Sequence, residues 1–313
     1  MNPVRKGLRQ YLALREALGF QLRDIRWGLN QFVDFLEARG ISRITTGLAV
    51  EWATKPASVQ PATWAWRLGI VRQFAAWLSA QDPRTEVPPQ GLLPYQYRRR
   101  PPYIYSVREI EQLIQTAAAL PSSGGLRGRT YSTLFGLLAI TGMRIGEAVA
   151  LNRDDVNLVE GTLVLRKSKF GKSRLVYVHP STQRALEAYA DARDRFCPCP
   201  QTQAFFLLER RTRVTKNIAE WTFAQVSREV GLRLPGKSHG KGPRLHDLRH
   251  SFASRTLINW YRAGLDVERE IPKLASYLGH RSARDTYWYI EAVPELLQLA
   301  TKRLEKAMTG GSL

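Results

Sequence analysis

Residues 81–106 read QDPRTEVPPQGLLPYQYRRRPPYIYS and carry six prolines, a density through which no helix propagates, because proline lacks the amide N–H and clashes with the preceding turn. Helical periodicity resumes on either side. The break predicts two folding units, 1–82 and 106–313, joined by a basic, proline-rich linker at 83–105. With 313 residues, 44% hydrophobic content and eight tryptophans, the chain has the material for two cores. Three consecutive arginines, Arg98, Arg99 and Arg100, stand in the linker. Such a run serves either to follow a phosphate backbone or as a solvated basic turn.

Before the linker, apolar residues recur three and four apart: Leu8, Tyr11 and Leu12, then Ile25, Leu29, Phe32, Phe35 and Leu36. Gly19 and Gly40 punctuate these segments. A short helix around Leu48–Trp52 follows, and PATWAWRLGIVRQFAAWL places Trp66, Ile70, Phe74 and Trp77 on one expected buried stripe. A bundle of four helices results. Arg67 and Arg72 fall on its polar face, where basic side chains either meet DNA or face solvent.

After the linker, Ser106 and Glu109 have the spacing of a capping box at a helix start. Further helices are expected from 130 to 141 and over 216–230, 247–262, 266–278 and 294–308. GTLVLRKSKFGKSRLVYVHP alternates apolar residues in two runs around Phe170-Gly171-Lys172 and reads as a β-hairpin, and AFFLLE is a candidate further strand. The fold class is therefore mainly α with a small β-sheet.

Forty-seven lysines and arginines against 27 acidic residues leave a formal charge of +20 and a pI near 10.4, a balance suited to a polyanion partner such as DNA or RNA. A membrane is the other polyanionic surface. No apolar stretch approaches the roughly 20 residues of a spanning helix, and the N-terminus lacks the apolar run of a signal peptide, so a cytoplasmic location is expected. Cys197 and Cys199, one proline apart, are read as reduced loop thiols, with no metal site expected.

Three local motifs carry chemistry. TGMRIGEAVAL sets Arg144 just after a glycine at a helix junction with Glu147 three residues on; the arginine can present a planar fork to phosphate oxygens, and the carboxylate can orient it. RLHDLRHSFAS puts His246 and Arg249 three apart on one helix face, a proton-transfer group beside an anion clamp, with His250 read as a packing or hydrogen-bonding histidine directed elsewhere. ASYLGHRSARDTYWYIEAV adds His280 after a helix-closing glycine, then Tyr287 and Tyr289. Taken singly, each of these has an ordinary structural explanation.

Together and in this order, the motifs resemble the tyrosine recombinase family, also called phage integrases. The resemblance extends to the N-terminal bundle, whose fourth helix is similar to the last helix of the family's core-binding domain. It implies a SAM-like helical core-binding domain followed by an α+β catalytic domain. By resemblance, Arg144 is the first catalytic arginine and Glu147 its acidic support; His246 and Arg249 fall on the family's His-x-x-Arg. His280 matches the second histidine, and Tyr289, nine residues beyond it, matches the nucleophile in preference to Tyr287. The family's lysine lies on the hairpin, where Lys167, Lys169 and Lys172 stand; Lys169 is the choice, with Lys172 left as a DNA contact.

The implied reaction is strand transfer through a 3′-phosphotyrosine, without metal, nucleotide or other cofactor. The implied partners are double-stranded recombination sites bound by a homotetramer, assembled from protein that is monomeric when free, with sister recombinases as further partners. Leu296, Ala300 and Leu304 form an apolar stripe on a terminal helix that, in the family, often docks on a neighbouring protomer; packing on its own domain is the alternative. The longer segment between Arg249 and His280 favours a mobile-element integrase or transposase. A dimer-resolving recombinase, a topoisomerase of the same chemistry and a catalytically silent DNA-binding regulator are the alternatives.

Overall fold

The structure, a computed structural model, describes residues 2–95, 101–166, 173–234, 242–280, 282, 286–287, 289–290 and 293–309, with backbone alone at 302, 304 and 306–309. The chain divides into two compact units, Met1–Arg100 and Pro101–Leu313. Arg98, Arg99 and Arg100 lie outside the described residues, as do Lys167, Lys169 and Lys172.

Unit one is a bundle of α1 (Pro3–Ala17), α2 (Arg23–Glu37), α3 (Thr46–Thr54) and α4 (Pro61–Leu78). Asn2 caps α1 by accepting from the Val4 amide at 2.9 Å, and Pro3 fits the first helical turn, where no amide bond is lost. The core gathers Leu8, Leu12, Leu29, Phe32, Leu36, Trp52, Val71 and Phe74. The chain after α4 packs back onto this bundle: the Glu86 amide donates to Ile44 O at 3.0 Å, its carboxylate accepts from the Thr46 amide at 2.7 Å, and Leu93 lies against the core. Prolines stop the helix here without detaching the chain.

Two expectations on α4 are corrected. Trp66 is 39% exposed, and the buried positions run instead through Leu68, Ile70, Val71, Phe74, Ala75 and Leu78. Arg67, expected on the polar face, is buried: Nη2 donates to Trp52 O at 2.9 Å and the guanidinium lies 3.7 Å from the Trp52 ring centroid. A long stem and a flat cation can cover an aromatic face inside a helix bundle. We expect Arg67→Met to lower stability by about 1–3 kcal/mol, seen as a lower urea midpoint of the full chain, with DNA affinity in buffer unchanged. A large affinity loss without a midpoint shift would contradict the structural role. Arg72 is half-buried.

Unit two begins with buried Tyr105, whose amide donates to Ser251 Oγ at 2.8 Å, and with α5 (Val107–Ala118), where Ser106 and Glu109 form the expected capping box. Next come α6 (Leu126–Thr141), α7 (Ile145–Ala150), a 3-10 turn, and the strands β1 (Val156–Asn157), β2 (Thr162–Leu165) and β3 (Arg174–Tyr177). The sheet is antiparallel in the order β1-β2-β3, with Leu165 opposite Arg174. AFFLLE is not a strand; Ala204 and Leu207 make only isolated bridges, although Phe205 and Phe206 are fully buried. The helices α8 (Pro180–Phe196), α9 (Lys216–Glu229), α10 (Asp247–Arg262), α11 (Val267–Leu278) and α12 (Pro294–Thr309) complete it. Cys197 is buried and Cys199 exposed, both as free thiols.

The terminal helix α12 packs on α10 of its own unit: Leu296 is fully buried beside Leu257 and Ile271, and Arg262 pairs with Glu295 at 2.8 Å. Ala300 is half-buried, and the Leu304 side chain lies outside what is described.

Candidate active site

Helix α6 ends at Gly142 and α11 at Gly279, both in the left-handed region, with φ of +60° and +67°. Neither position tolerates a side chain, since a Cβ would lie 2.5 Å from the Phe252 ring at Gly142 and 2.7 Å from Arg174 Nη1 at Gly279. These two helix ends aim their last carbonyls at the same place. Such carbonyls have no partner within the helix and carry the negative end of its dipole, so they attract cations.

Two guanidinium groups occupy that place. Arg249, in the first turn of α10 and 3% exposed, donates from Nη1 to Gly142 O and from Nη2 to Leu278 O, both at 2.8 Å. Arg144, at the start of α7, donates from Nη2 to Gly279 O at 2.9 Å and from Nη1 to Glu147 Oε1 at 3.0 Å, with Leu278 O a further 3.5 Å acceptor. The arginines therefore share one carbonyl and stand side by side. Each guanidinium has five N–H donors, and helix ends that fix some of them orient the plane of the rest. Burial, and next the positive charge of Arg144, pull the Arg249 pKa down to about 10, which leaves it cationic at neutral pH.

Glu147 is not the surface partner that its spacing suggests. Its side chain is 7% exposed, and it accepts from the Arg144 amide at 2.9 Å. Asp247, buried at the start of α10, accepts from the Arg244 amide at 2.7 Å and from Arg244 Nη2 at 2.9 Å, which fixes the turn that presents His246. His250, one turn further along α10, was expected to point elsewhere; its ring lies 4.8 Å from His246 and 5.4 Å from Tyr289. A spacing of four residues keeps both histidines on one helix face.

His280 follows Gly279, and its Nδ1 is 2.8 Å from Oγ1 of fully buried Thr286, a contact that orients the ring. The Tyr289 ring stacks 6.2 Å from His280, and the tyrosine is near enough to Arg249 to raise its proton affinity. Tyr289 is 2% exposed and packs in the cluster with Leu257, Leu278 and Leu296, whereas Tyr287 is 39% exposed. The fold thus gathers Arg144, Glu147, His246, Arg249, His280 and Tyr289 into one neighbourhood, with two cations, imidazoles and a phenol. Such a set can bind a phosphodiester and attack it.

The pattern of the phage integrase family matches residues 105–295 of the chain. Candidate integrase/recombinase y4rB of Sinorhizobium fredii is 44% identical over 310 residues, covering 98% of either protein. The chain belongs to the phage integrase family, the tyrosine recombinases. Tyrosine recombinase XerC of a Roseiflexus species is 29% identical over 300 residues, covering 92% of this chain and 88% of its own. The crystal structure of XerH site-specific recombinase bound to palindromic difH substrate, at 16% identity, has the same fold with a TM-score of 0.64, over 90% of this chain and 78% of that one. This chain is thus a tyrosine-type recombinase.

Two residues of the recombinase site were not anticipated, Arg174 and the inward-facing His250. Arg174 had a signal in the sequence, because strand alternation places it on the face of Val176, which is buried, while Leu175 and Tyr177 are exposed. An arginine on the core face of a strand calls for a buried acid.

Desolvation by its neighbours, then the cations of Arg249, Arg244 and Arg144, pull the His246 pKa down to about 4, although the residue taken whole is exposed to solvent. A histidine depressed below its unfolded value near 6.5 binds fewer protons folded than unfolded between those pH values. Folding stability therefore falls as pH drops through that window. The imidazole is neutral at pH 7 and able to accept a proton. We expect the apparent second-order rate of strand cleavage, which reports ionisations of the free enzyme, to hold from pH 7 to about pH 5.5. A loss centred near pH 6.5 that His246→Ala removes would contradict this.

Proposed function

We propose that this recombinase cuts and rejoins double-stranded DNA at specific sites through Tyr289, and that it integrates or excises a mobile element. The observation that carries the chemistry is the pair of guanidiniums, Arg144 and Arg249, set by two helix ends beside Tyr289 and His280. In this reading the arginines and His280 hold the non-bridging oxygens, which gain charge as the nucleophile arrives. His246 takes the phenolic proton, whose unperturbed pKa near 10 makes a base useful. The tyrosine oxygen bonds to phosphorus, the bond to the 5′ oxygen breaks, and Lys169 delivers a proton to that oxygen. The 3′-phosphotyrosine keeps the energy of the broken bond, so a 5′-hydroxyl from a second duplex reverses the step without ATP, through a Holliday junction.

Unit one takes the role of core-binding domain, with Arg72 and the Arg98–Arg100 run as phosphate contacts, and Lys172 adds a further phosphate contact from unit two. A homotetramer of subunits that are monomeric when free, in the cytoplasm on its DNA, is the working form. The mobile-element reading is supported by the likeness to the candidate integrase/recombinase of Sinorhizobium fredii. Strand exchange between two labelled duplexes carrying the joined ends of the encoding element, in EDTA, tests it. Recombinant duplexes and a four-way junction are expected. Relaxation of supercoils without exchange would indicate a topoisomerase, and exchange at a chromosomal dimer-resolution site alone would indicate a resolver.

A further inference from the structure

Arg174 begins β3, and its side chain turns inward, 13% exposed, against the active site. Both terminal nitrogens go to one carboxylate: Nη1 to Glu147 Oε1 at 3.1 Å and Nη2 to Glu147 Oε2 at 2.9 Å. That carboxylate also takes Arg144 Nη1 on Oε1 and the Arg144 amide on Oε2. Each oxygen therefore accepts two bonds, one from each arginine. Burial alone would raise the Glu147 pKa; the hydrogen bonds from Arg174 and the Arg144 amide outweigh it and hold the carboxyl below its ordinary range.

Gly279 completes the arrangement, since its Cα side carries nothing where Arg174 Nη1 and Arg144 Nη1 approach, at 2.7 and 3.5 Å from the position a Cβ would take. Strand, helix start and Leu-Gly-His turn thus meet at one ionic cluster. We propose that Arg174 is a positioning residue for strand cleavage: by sharing Glu147, it holds the Arg144 guanidinium in the plane that engages the scissile phosphate. This rests on the strand-transfer reading above. Without Arg174, a buried carboxylate with a single cation closes on Arg144 in bidentate fashion and draws it from Gly279 O. Arg174 spends one N–H of each terminal nitrogen on Glu147, and its Nε is buried, with no partner among the described residues; a direct contact of its remaining N–H groups with phosphate would show instead as losses that multiply when Arg144 is also removed.

The test measures single-turnover formation of the covalent adduct on a nicked duplex carrying either a phosphate or a neutral methylphosphonate at the scissile position. With phosphate, Arg174→Gln is expected to slow the reaction about 100-fold, the scale of a misplaced catalytic group, with DNA affinity little changed. With methylphosphonate the loss should shrink to under about tenfold, because one non-bridging charge no longer needs Arg144. The double variant with Arg144→Ala should be no slower than Arg144→Ala alone. Arg174→Lys keeps the charge but reaches one oxygen, so it should lie between, and it carries the same comparison where Arg174→Gln folds poorly. Wild-type rates in both variants, equal losses on the two substrates, or losses that multiply in the double variant would each overturn the positioning role. Absence of any adduct with the unmodified protein would instead overturn the strand-transfer reading itself.

Discussion

Tyr289→Phe is expected to abolish the covalent protein–DNA species on a nicked substrate, whereas Tyr287→Phe should leave it within a few-fold of the unmodified rate. Accessibility alone would favour the opposite result, because Tyr287 is 39% exposed and Tyr289 only 2%. Neighbours decide between them. Tyr289 stacks beside His280, lies 5.4 Å from the His250 ring, and acts on Arg249. Removing a covalent nucleophile from a preorganised site costs on the order of 10⁶-fold in the best-measured hydrolases, so the adduct should fall to background. The phenylalanine ring still fills the cluster with Val293 and Leu296, and a deleted hydroxyl changes stability by only about 1 kcal/mol. Gel-resolved adduct formation with both variants, and a thermal melt of each, distinguishes chemistry from folding.

Arg249→Lys is expected to slow strand cleavage by about 10²–10³-fold while DNA binding at fixed salt weakens little. Lysine keeps the charge but not the fork. Arg249 spans Gly142 O and Leu278 O at 2.8 Å each, joining the ends of α6 and α11, and an ammonium satisfies one of these carbonyls at a time. Affinity comes mainly from many phosphates, whereas the rate depends on donors fixed at one. A stability loss of about 1–3 kcal/mol accompanies the change, because a buried carbonyl is left without its donor. Cleavage within tenfold of the unmodified rate would show that Arg249 contributes charge alone.

Much of this fold is readable in the amino-acid sequence. The capping box at Ser106 and Glu109, the helix from Asp247 and the antiparallel pairing of β2 with β3 follow from local rules of periodicity and capping, and they stand where expected. That His246, Arg249 and His280 share one site was implied by the family resemblance; spacing alone set only His246 and Arg249 on one helix face and His280 just after a closing glycine. What failed depends on tertiary packing. Helix α8 went unassigned since its buried stripe holds little beyond Leu186, Tyr189 and Ala190. AFFLLE had the composition of a strand, but Phe205 and Phe206 fill the core from a loop. Arg67 looked exposed because basic residues usually are, and the Trp52 face that covers it comes from another helix. Arg174 shows the same limit: its strand position went unremarked in the sequence, and only the fold shows Glu147 waiting there.

The central claim is that Tyr289 attacks the scissile phosphate and remains joined to the 3′ side of the break. Fragment-ion sequencing of the adduct formed on a nicked duplex in EDTA, after proteolysis and nuclease trimming, tests this directly. The account predicts a nucleotide 3′-phosphate on Tyr289 and an unmodified Tyr287. A phosphate on Tyr287, linkage to the 5′ side, or an adduct that forms only when a divalent metal is restored would contradict it.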